Sequence, residues 1–556
     1  MTEISVVIAT RDRAKALRHC LDALADQTAP AASYEVVVVD DGSTDGTHAL
    51  IAGYTDRFRL RVERQGHGGE AAARNRGVRA ATGTYCLFLD DDAVADRHLI
   101  EEHLHAQRDG DGILGLGTLR LRMTARRSGL ARQVETWSDG GERAFDDGAE
   151  TPDSWARECG NLSAPTAAVR SIGGFDEDVG TGEDVDLAYR LERSGLRIGY
   201  LPRARAEKRC SKGFREVVRD FDRAGAAAVK LWRRHPELLR YPPLGDFSDA
   251  WTGHMLLRRF LLATRAPVWP LAVIDRIAAR RPLGSLYRFL RSYCFWRAVR
   301  RALEDRDMWT RLTRGTVILM YHAIAQRGER PSRFVISAAR FRRQLAWLRL
   351  RRHPVLTLDE YVEYRERNQL PPARSVAITF DDGYVDNADL GLPMLRRRDM
   401  PATFFLVTGA LGGVNGWDDG GPLRGRRLLS WKGVRAMHEA GMAVGAHTVS
   451  HPQLTELDPD AAEREMVDSR AQLERELGSP VRHFAYPHGK SSPELARRVR
   501  RAGFATACGV RPGSNGGAVP VHDLRRLEVP GTRSLPRFAI DLWFGRPVGS
   551  SKQRRN

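Results

Sequence analysis

The sequence reads Thr379-Phe380-Asp381-Asp382-Gly383 at the end of an apolar run, Val376 to Ile378. A short apolar run bounded by a turn signal predicts a buried strand, so the two carboxylates stand at the carboxyl end of that strand. Ligands and catalytic groups gather at this end of the strands in parallel α/β sheets and barrels. The stretch therefore predicts an α/β fold with an acidic functional site in the second half of the chain.

A second apolar run, Met442 to Ala446, ends in His447-Thr448-Val449-Ser450-His451-Pro452. Two imidazoles four residues apart and a carboxylate form a ligand set that suits a catalytic divalent metal, most often zinc, with positions left open for water and substrate. A second carboxylate is then free to act as a base on the metal-bound water. Each motif alone also fits a turn or a surface pair, but their shared position after apolar strands favours a metal site.

The composition is that of a globular protein with several domains: 556 residues, 42% hydrophobic and 28% charged. Lys and Arg outnumber Asp and Glu by 88 to 70, and the net charge of +18 favours anionic partners such as nucleotide phosphates, acidic lipids or nucleic acid. A general bias toward arginine is the alternative explanation, since Arg is spread along the whole sequence.

The six cysteines, at positions 20, 86, 159, 210, 294 and 508, form no close pair, which favours reduced thiols. The first residues lead directly into an apolar strand rather than a signal peptide. No apolar run of the sequence reaches the roughly 18 residues of a membrane-spanning helix. We therefore expect a cytoplasmic protein.

Residues 1–120 alternate apolar strands with helices, which predicts a parallel sheet covered by helices on both faces. The second and third strands end in the acidic clusters Asp40-Asp41 and Asp90-Asp91-Asp92, at the sheet edge where nucleotides bind. No G-x-G-x-x-G follows the first strand, which argues against a dinucleotide-binding fold. The predicted strands are Ile4–Ala9, Tyr34–Val39 and Tyr85–Leu89, and the predicted helices are Ala14–Gln27 and Ala71–Ala81.

This acidic edge suits a sugar nucleotide. A diphosphate leaving group requires a divalent cation, and Mg²⁺ or Mn²⁺ prefers carboxylate oxygens. Two of the three aspartates at 90–92 can face one side, and Asp40 and Asp41 can accept hydrogen bonds from a base or ribose. Arg74 and Arg76 can contact phosphate.

Six segments of the first half together resemble the family 2 glycosyltransferases of the GT-A fold. The resemblance covers about residues 1–210 and implies a Rossmann-like nucleotide-sugar domain with a UDP-sugar as donor. It implies that Asp90 and Asp92 bind Mg²⁺ or Mn²⁺, and that Thr10, Arg11, Asp40, Asp41, Arg74 and Asp91 bind the nucleotide sugar. The segments are Ser5–Arg13, Val39–Thr47, Ala73–Gly77, Phe88–Asp92, Gly173–Glu177 and Gly182–Leu191.

The same resemblance implies an acceptor side. Asp184 is the first choice for the base that deprotonates the acceptor hydroxyl, and Glu183 is the alternative, because an inverting transferase must activate its nucleophile. Residues 126–155 are rich in Gly and acidic residues and include Trp137 and Trp155. Their position in the family suggests an acceptor-side loop, and a variable surface insertion is the alternative.

Residues 253–315 form a basic stretch within a predicted helical connector. Fourteen arginines and four acidic residues give a net charge of +10, and apolar side chains such as Phe260, Trp269 and Trp296 interleave with them. Basic amphipathic helices of this kind bind membrane surfaces, here the inner face of the membrane, which would suit a lipid-linked acceptor. A connector that packs its apolar face on both domains is the slightly favoured alternative. No nucleic-acid partner is expected, because no binding motif accompanies the charge.

Six segments of the second half together resemble the NodB-homology polysaccharide deacetylases, carbohydrate esterase family 4. The resemblance covers roughly residues 315–545 and implies an irregular, partly opened (β/α) barrel. It implies that Asp382, His447 and His451 bind Zn²⁺ or a similar divalent metal, that Asp381 is the base, and that a backbone N–H near Tyr486 and Pro487 contacts the oxyanion. The segments are Ile318–His322, Thr379–Tyr384, Pro401–Phe405, His447–Pro452, Phe484–Gly489 and Ala502–Phe504.

Two parts of the deacetylase pattern are missing from the sequence. The family usually supplies a late Leu-x-His whose histidine protonates the leaving amine, but the corresponding stretch, Leu524 to Val529, contains none. His488 and His522 are neighbours in sequence only. The family's arginine that holds the base also has no clear equivalent, and Arg482 is a weak candidate.

Together these features predict a GT-A domain at 1–212, a basic helical connector at 213–314, a NodB-like domain at 315–546 and a basic disordered tail at 547–556. The predicted function is bifunctional: transfer of an N-acetylated sugar, such as N-acetylglucosamine from UDP-N-acetylglucosamine, to a glycan, lipid-linked or small-molecule acceptor, followed by removal of the acetyl group. In the alternative, one domain is catalytic and the other is a carbohydrate-binding or scaffolding module, docked at a membrane or partner by the connector.

Overall fold

A computed structural model describes residues 2–110, 112–124, 128–146, 160–241, 244–247, 252–277 and 283–547. The chain divides into two compact units: unit 1 comprises Met1–Arg234 and Arg258–Ala302, and unit 2 comprises His235–Leu257 and Leu303–Asn556. Residues of the predicted connector occur in both units, and the predicted boundaries at 212 and 314 stay a prediction. The predicted tail, apart from Pro547, lies outside the described residues.

Unit 1 is built on an eight-stranded sheet. Its strands are β1 Ile4–Thr10, β2 Tyr34–Asp40, β3 Leu60–Arg64, β4 Tyr85–Leu89, β5 Ala93–Ala95, β6 Leu114–Met123, β7 Asn161–Pro165 and β8 Ile198–Cys210. Their order in the sheet is β3-β2-β1-β4-β7-β6-β8-β5. The expected parallel pairing holds from β3 to β4. Beyond β4 the sheet is mixed: β7 enters from later in the chain and runs antiparallel to β4 and β6, and β5 runs antiparallel to β8, whereas β6 and β8 are parallel.

The helices of the first half cover this sheet or continue the chain beyond it. The helix α7 begins directly after Gly182, whose φ of 99° is a left-handed conformation that glycine adopts without strain. The helices are α1 Ala14–Ala25, α2 Thr47–Ala52, α3 Glu70–Ala80, α4 Leu99–Asp109, α5 Gly129–Asp146, α6 Thr166–Ser171, α7 Glu183–Arg193 and α8 Phe214–Arg234. The predicted helical character of the connector continues in α9 Thr252–Thr264, α10 Trp269–Ile277, α11 Gly284–Leu303 and α12 Arg306–Arg314.

Unit 2 is built on a seven-stranded sheet in which the paired strands run parallel, in the order β16-β15-β14-β13-β12-β9-β17. A short parallel pair, β10 and β11, lies beside it. The strands are β9 Val317–Tyr321, β10 Ala323–Ala325, β11 Val335–Ser337, β12 Val376–Phe380, β13 Thr403–Leu406, β14 Ala443–Ala446, β15 His483–Ala485, β16 Thr506–Cys508 and β17 Arg526–Glu528.

The two edges of the unit 2 sheet meet. Cys508 of β16 forms a parallel bridge with Leu524, just before β17. The Leu524 N–H donates to the Ala507 carbonyl at 2.8 Å, and the Leu524 carbonyl accepts from the Gly509 N–H at 2.9 Å. The predicted irregular barrel is therefore confirmed, with seven strands and a short closing contact. The helices around it are α13 Ala338–Leu350, α14 Leu358–Glu366, α15 Leu392–Arg396, α16 Trp431–Glu439, α17 Pro459–Leu477, α18 Pro493–Arg501 and α19 Leu535–Phe544.

Alternation along β12 decides which side chains point into the barrel. Ile378 and Phe380 belong to the outer core under the helices, where Phe380 stacks on Phe404 with ring centroids 4.9 Å apart. Ala377 belongs to the small inner core of the barrel. Because successive side chains of a strand point to opposite faces, Asp381 shares the inner side with Ala377 and Thr379.

Within the part of the chain that the structure describes, no helix combines the length and the hydropathy that crossing a bilayer requires. Among the described residues the five cysteines are buried, and none of them is in a disulfide.

Candidate functional sites

The first carboxylate after β12 is held by a buried arginine. Arg526 Nη1 and Nη2 donate to the two carboxylate oxygens of Asp381 at 2.6 and 2.8 Å, and neither side chain is more than 5% exposed. Arg526 Nε donates to the Gly509 carbonyl, which fixes the guanidinium plane. Burial alone would raise the pKa of Asp381, but the charge and hydrogen bonds of Arg526, together with His447 and His322, outweigh it, so the pKa lies below its usual range.

This pair corrects the prediction for the arginine that holds the base. Arg482 instead donates to Asp359 at 2.7 Å, and both side chains are 42% exposed. Arg526 reaches Asp381 because β17 closes the barrel beside β9, which in turn pairs with β12. The arginine therefore comes from the late strand in which the histidine was missing.

The second carboxylate meets the two histidines. Asp382 Oδ1 lies 3.5 Å from His447 Nε2 and 3.5 Å from His451 Nε2, and all three side chains are buried. Tetrahedral ligands with bonds near 2.1 Å would stand roughly 3.4 Å apart, so the spacing fits a zinc-like ion. His451 Nδ1 is buried without a hydrogen-bond partner. The residues present therefore fit the predicted metal.

The surrounding groups fix the orientation and charge of these three side chains. His447 Nδ1 contacts the Ala485 carbonyl at 2.7 Å, which leaves Nε2 as the electron-pair donor toward Asp382. The Tyr384 hydroxyl donates to Asp382 Oδ2 at 2.7 Å and itself accepts from Asn415. Burial lowers the pKa of both histidines, so they are neutral, as metal ligation requires.

Strained backbone is concentrated at the same place. Asp382, Thr448, His451 and His488 have φ values of 73°, 70°, 63° and 56°, in the left-handed region that residues other than glycine rarely adopt. Such conformations persist where the surrounding structure enforces them, and they are frequent at functional sites.

Two further histidines and a tryptophan surround the triad. Trp417 stacks on His451 with ring centroids 4.7 Å apart, and the exposed His488 lies on another side of the same ring at 4.8 Å. His322 follows β9 and lies close enough for its charge to act on Asp381 and His451. His522 is not part of this group, since its Nε2 contacts the Phe504 carbonyl.

The predicted oxyanion contact near Tyr486 and Pro487 needs one correction, which concerns the backbone N–H of Tyr486. The Tyr486 N–H donates to the Cys508 carbonyl at 3.0 Å as part of the β15–β16 pairing, so this amide is already engaged. Its hydroxyl donates to the His522 carbonyl at 2.8 Å. Pro487 follows directly and has no N–H.

In unit 1 the three aspartates after β4 are each paired with a cation. Asp90 accepts from Lys208 Nζ at 2.7 Å through Oδ2 and from Arg74 at 2.9 Å through Oδ1. Asp91 and Asp92 both contact Arg13, at 2.9 and 2.6 Å. Thr10 donates to Asp91 at 2.9 Å. The structure thus brings Thr10, Arg74 and the three aspartates together, and their predicted roles stay a prediction.

These neighbours give the three carboxyl groups different electrostatic environments. Burial would raise the pKa of Asp90, but Lys208 and Arg74 lower it to about 2. Burial raises the pKa of Asp91 to about 7. Asp92 Oδ1 is buried without a hydrogen-bond partner, so Asp92 fits a role as metal ligand. Asp90 does not fit it, because both of its oxygens are occupied by cations.

The acidic pair after β2 also divides into two roles. Both oxygens of Asp41 are occupied: it accepts from Gln65, His67 and the amides of Gly68 and Gly69, at 2.8 to 3.0 Å. Asp40 is fully buried, accepts from the Ser43 amide through Oδ1, and leaves Oδ2 without a hydrogen-bond partner. Asp40 is therefore the better placed of the two to accept a new hydrogen bond.

The acidic residues at the start of α7 lie against Arg74. Glu183 accepts from Arg74 Nη1 at 3.2 Å, and Asp184 is close enough for its charge to act on both of these residues. Burial, with the neighbouring charge of Asp184, raises the pKa of Glu183 to about 7. The first turn of a helix favours such carboxylates.

Three other sequence predictions lie elsewhere. Arg11 is 43% exposed and contacts Asp12 at 3.8 Å, and Arg76 donates to Glu63 rather than reaching the aspartates after β4. The stretch 126–155 is helical from Gly129 to Asp146, including Trp137. The rest of it, including Trp155, lies outside the described residues apart from Ser128.

Sequence reasoning missed Arg13, Lys208, Tyr384 and Arg526 as members of the two sites. Arg13 and Tyr384 stand within quoted motifs, so their position was a usable signal. Lys208 and Arg526 lie 118 and 145 residues from their aspartates, and only the sheet pairing brings them there.

Two families match the chain. Residues 5–157 match the sequence model of glycosyl transferase family 2, and residues 368–507 match that of polysaccharide deacetylase. These are the two families that the motifs predicted, and the α/β fold with a GT-A unit and a NodB-like barrel is confirmed.

Individual relatives divide in the same way. The putative polysaccharide deacetylase YxkH of Bacillus subtilis is 25% identical over 233 residues, which cover 42% of this chain and 78% of that protein. Validoxylamine A glucosyltransferase of Streptomyces hygroscopicus subsp. jinggangensis is 32% identical over 220 residues, 35% of this chain and 52% of that protein. Poly-β-1,6-N-acetyl-D-glucosamine N-deacetylase of Staphylococcus epidermidis is 26% identical over 180 residues, 31% of this chain and 60% of that protein. The chain thus spans about half of the glucosyltransferase that it matches. One region of the chain is thus similar to glycosyl transferase family 2, and another to the polysaccharide deacetylases.

Proposed function

We propose that this protein transfers an N-acetylated sugar, with UDP-N-acetylglucosamine as the donor, and then hydrolyses the N-acetyl group of the product. The observation that carries the proposal is the Asp381–Arg526 pair beside the Asp382–His447–His451 triad, on a chain that also has a family 2 transferase region. The name of the Staphylococcus epidermidis relative, an N-deacetylase of an N-acetylglucosamine polymer, supports the acetamide as the bond that is cleaved. Linkage of both sites on one chain raises the effective concentration of the intermediate.

In the deacetylation, Asp381 is the base. Arg526 keeps it ionised and holds both oxygens in one plane, so that it can take a proton from the attacking water. Asp382, His447 and His451 would hold a divalent ion, which when bound polarises the acetamide carbonyl and acidifies water. The C–N bond then breaks, acetate leaves, and the amine takes up a proton. His322 and His488 are the candidates to donate that proton.

In the transfer step, Asp184 accepts the proton of the acceptor hydroxyl as the bond between the sugar carbon and the diphosphate breaks. Arg74 contacts Glu183 and Asp90 and so connects the start of α7 with the end of β4. Asp40, whose buried Oδ2 accepts no hydrogen bond and lies 3.8 Å from Arg64 Nε, accepts a hydrogen bond from the nucleoside. Thr10, Asp91 and Asp92 line the same edge.

The test is to incubate the protein with UDP-N-acetylglucosamine and a set of glycan, lipid-linked and small acceptors, and to measure UDP and acetate. Asp184→Asn should stop UDP release, and with it the acetate that depends on transfer. Asp382→Asn should stop acetate release alone and leave an acetylated product. Acetate release from UDP-N-acetylglucosamine before transfer would contradict the order of the two steps, and UDP release unchanged by Asp184→Asn would contradict the assignment of the base.

A peripheral membrane contact through α9 and α10 belongs to this proposal. Phe260, Trp269 and Val273 are 63%, 67% and 52% exposed. Among the described residues 252–277 the exposed charged side chains are Arg265 and Arg276, since Asp275 is buried. Exposed apolar side chains beside cations fit an anionic bilayer surface, which would supply a lipid-linked acceptor.

Co-sedimentation with vesicles tests this contact. The protein should bind vesicles that contain anionic lipid and release them at high salt. The double variant Phe260→Ser/Trp269→Ser should bind several-fold less, whereas Leu350→Ser, which removes an exposed leucine elsewhere, should bind as before. Equal binding by both variants would show that α9 and α10 are not the contact.

A further inference from the structure

Lys208, near the end of β8, lies at the sheet edge that carries the three aspartates after β4. Lys208 lies opposite Ala93 in the antiparallel pairing of β5 with β8, and the next amide, Arg209 N–H, donates to the Asp92 carbonyl at 3.1 Å. The sheet therefore fixes Lys208 directly beside the three aspartates. Its ammonium contacts Asp90 Oδ2 at 2.7 Å, and its side chain is 18% exposed.

The carboxylate of Asp90 is crowded by its neighbours, and its side chain is only 12% exposed. Lys208 occupies one oxygen and Arg74 the other. Gly160 lies so close that a Cβ at this position would come within 2.5 Å of Asp90 Oδ2. A divalent cation on Asp90 would have to displace an ammonium or a guanidinium and then stay beside it, which like charges oppose.

Asp92 differs from Asp90 in this respect. Its Oδ2 contacts Arg13, whereas its Oδ1 is buried without a hydrogen-bond partner. The edge therefore offers one free carboxylate oxygen and one fixed, partly exposed ammonium. A single carboxylate is a weak site for Mg²⁺ or Mn²⁺ unless the phosphates of the donor complete it.

We infer that Lys208 is a binding residue for the diphosphate of the sugar nucleotide and takes the place of the cation that Asp90 would otherwise recruit. The inference rests on the proposed transferase function. On binding, the ammonium moves from Asp90 toward the phosphate oxygens, to which a lysine binds as a point charge. The diphosphate therefore meets a positive charge that the chain itself supplies, and nucleotide binding depends only weakly on added metal.

Calorimetric titration with UDP, GDP and dTDP, in EDTA and in Mn²⁺, tests the inference without any need for turnover. For the nucleotide that binds, chelation should change the dissociation constant of the natural protein by less than about threefold. Lys208→Met should weaken binding in EDTA at least about tenfold, and Lys208→Arg should keep most of it. Lys212→Met, which removes a lysine that contacts Asp220 on the surface, should change nothing.

The same variants should show the change at Asp90. Once Lys208→Met frees one oxygen of Asp90, paramagnetic resonance should detect Mn²⁺ bound several-fold more tightly in the presence of nucleotide than in the natural protein. Lys208→Arg provides a second variant that keeps the charge if Lys208→Met folds poorly.

Two results overturn the inference in distinguishable ways. Nucleotide binding that is lost in EDTA, restored by Mn²⁺ and unaffected by Lys208→Met would refute the role of Lys208 and leave the transferase proposal in place. Failure of all three nucleotides to bind in either condition would refute the proposed transferase function and the inference with it.

Discussion

The two candidate sites begin from nearly the same sequence signal, a run of aspartates at the end of a buried strand, and differ in what surrounds those aspartates. In unit 2, Asp382 faces two neutral imidazoles, and a single guanidinium contacts the neighbouring Asp381. In unit 1, three aspartates share Arg13, Arg74 and Lys208. Uncharged electron-pair donors around one carboxylate create a place for a cation, whereas cationic side chains fill it. The difference teaches that the partners of an acidic cluster, rather than the cluster, decide whether it binds metal.

Loss of a histidine from the triad should have the largest effect. His447→Ala should remove the bound metal from unit 2 and lower acetate release at least about a thousandfold, because water is then no longer activated. Metal analysis and an acetate assay measure both. His522→Ala is the matched control. The His522 ring contacts the Phe504 carbonyl rather than the triad, so this variant should retain metal and activity. Full metal content in His447→Ala would show that the triad of unit 2 is not the metal site, and the contrast with unit 1 would be lost.

Removal of the cation from Asp381 should come next. Arg526→Gln leaves a buried carboxylate without its charged partner, which costs about 3–5 kcal/mol of folding stability and most of the acetate release, while metal is retained. Denaturant unfolding, metal analysis and acetate release separate these effects. Arg482→Gln breaks a half-exposed pair and should cost less than about 1 kcal/mol. Equal losses from the two variants would mean that Arg526 has no special role.

The hydroxyl behind the metal ligand should have a smaller effect. Tyr384→Phe removes the donor to Asp382 Oδ2 and should weaken metal binding about 10- to 100-fold, measured by competition with a chelator. Tyr321→Phe is the control, because this equally buried hydroxyl donates to Gln344, away from the triad. Metal affinity unchanged by Tyr384→Phe would contradict the orienting role of the hydroxyl.

The pH dependence of the transferase should show the smallest effect. A carboxylate that must be ionised gives a rate that rises with pH up to its pKa, by at most about tenfold per pH unit. Glu183 lies next to the proposed base Asp184, and burial raises the pKa of Glu183 to about 7. Once Glu183 is ionised, its negative charge makes Asp184 a stronger base, so UDP release should rise between pH 6 and 8 and level off above. Glu183→Gln should flatten this rise.

Asp91 provides the contrast, because burial raises its pKa to about 7 as well. Asp91→Asn should keep the rise with pH if Glu183 controls it. A pH profile of UDP release that is flattened by Asp91→Asn and unchanged by Glu183→Gln would show that Asp91, rather than Glu183, sets the pH dependence.

Much of the fold could be predicted because local sequence signals are sufficient for it. The apolar run Tyr85–Leu89 is β4 itself, and Ile4–Ala9 and Tyr34–Val39 are one residue shorter than the strands that they predict. Strand direction could not be predicted: β7 lies antiparallel beside β4, and its pairing depends on where the chain returns after residue 146.

The same distinction between local sequence signals and strand pairing decides which site residues could be predicted. Asp381, Asp382, His447 and His451 follow strands that the sequence shows, so their convergence could be predicted from the common end of a parallel sheet. Arg526 and Lys208 could not, because each charge acts on an aspartate through a strand pairing that only the folded sheet creates. The roles proposed for these residues stay predictions until the variants are measured.

The closing contact between Cys508 and Leu524 has a consequence for the order in which the protein is made. A ribosome synthesises the metal ligands of unit 2 by residue 451, yet Arg526 emerges 75 residues later with the strand that seals the barrel. Until then, Asp381 has no guanidinium and the barrel has an open seam. If unit 2 acts as proposed, a chain that ends before Arg526 has the three candidate metal ligands but lacks the guanidinium that holds the proposed base. We therefore expect such a chain to bind metal without hydrolysing acetamides.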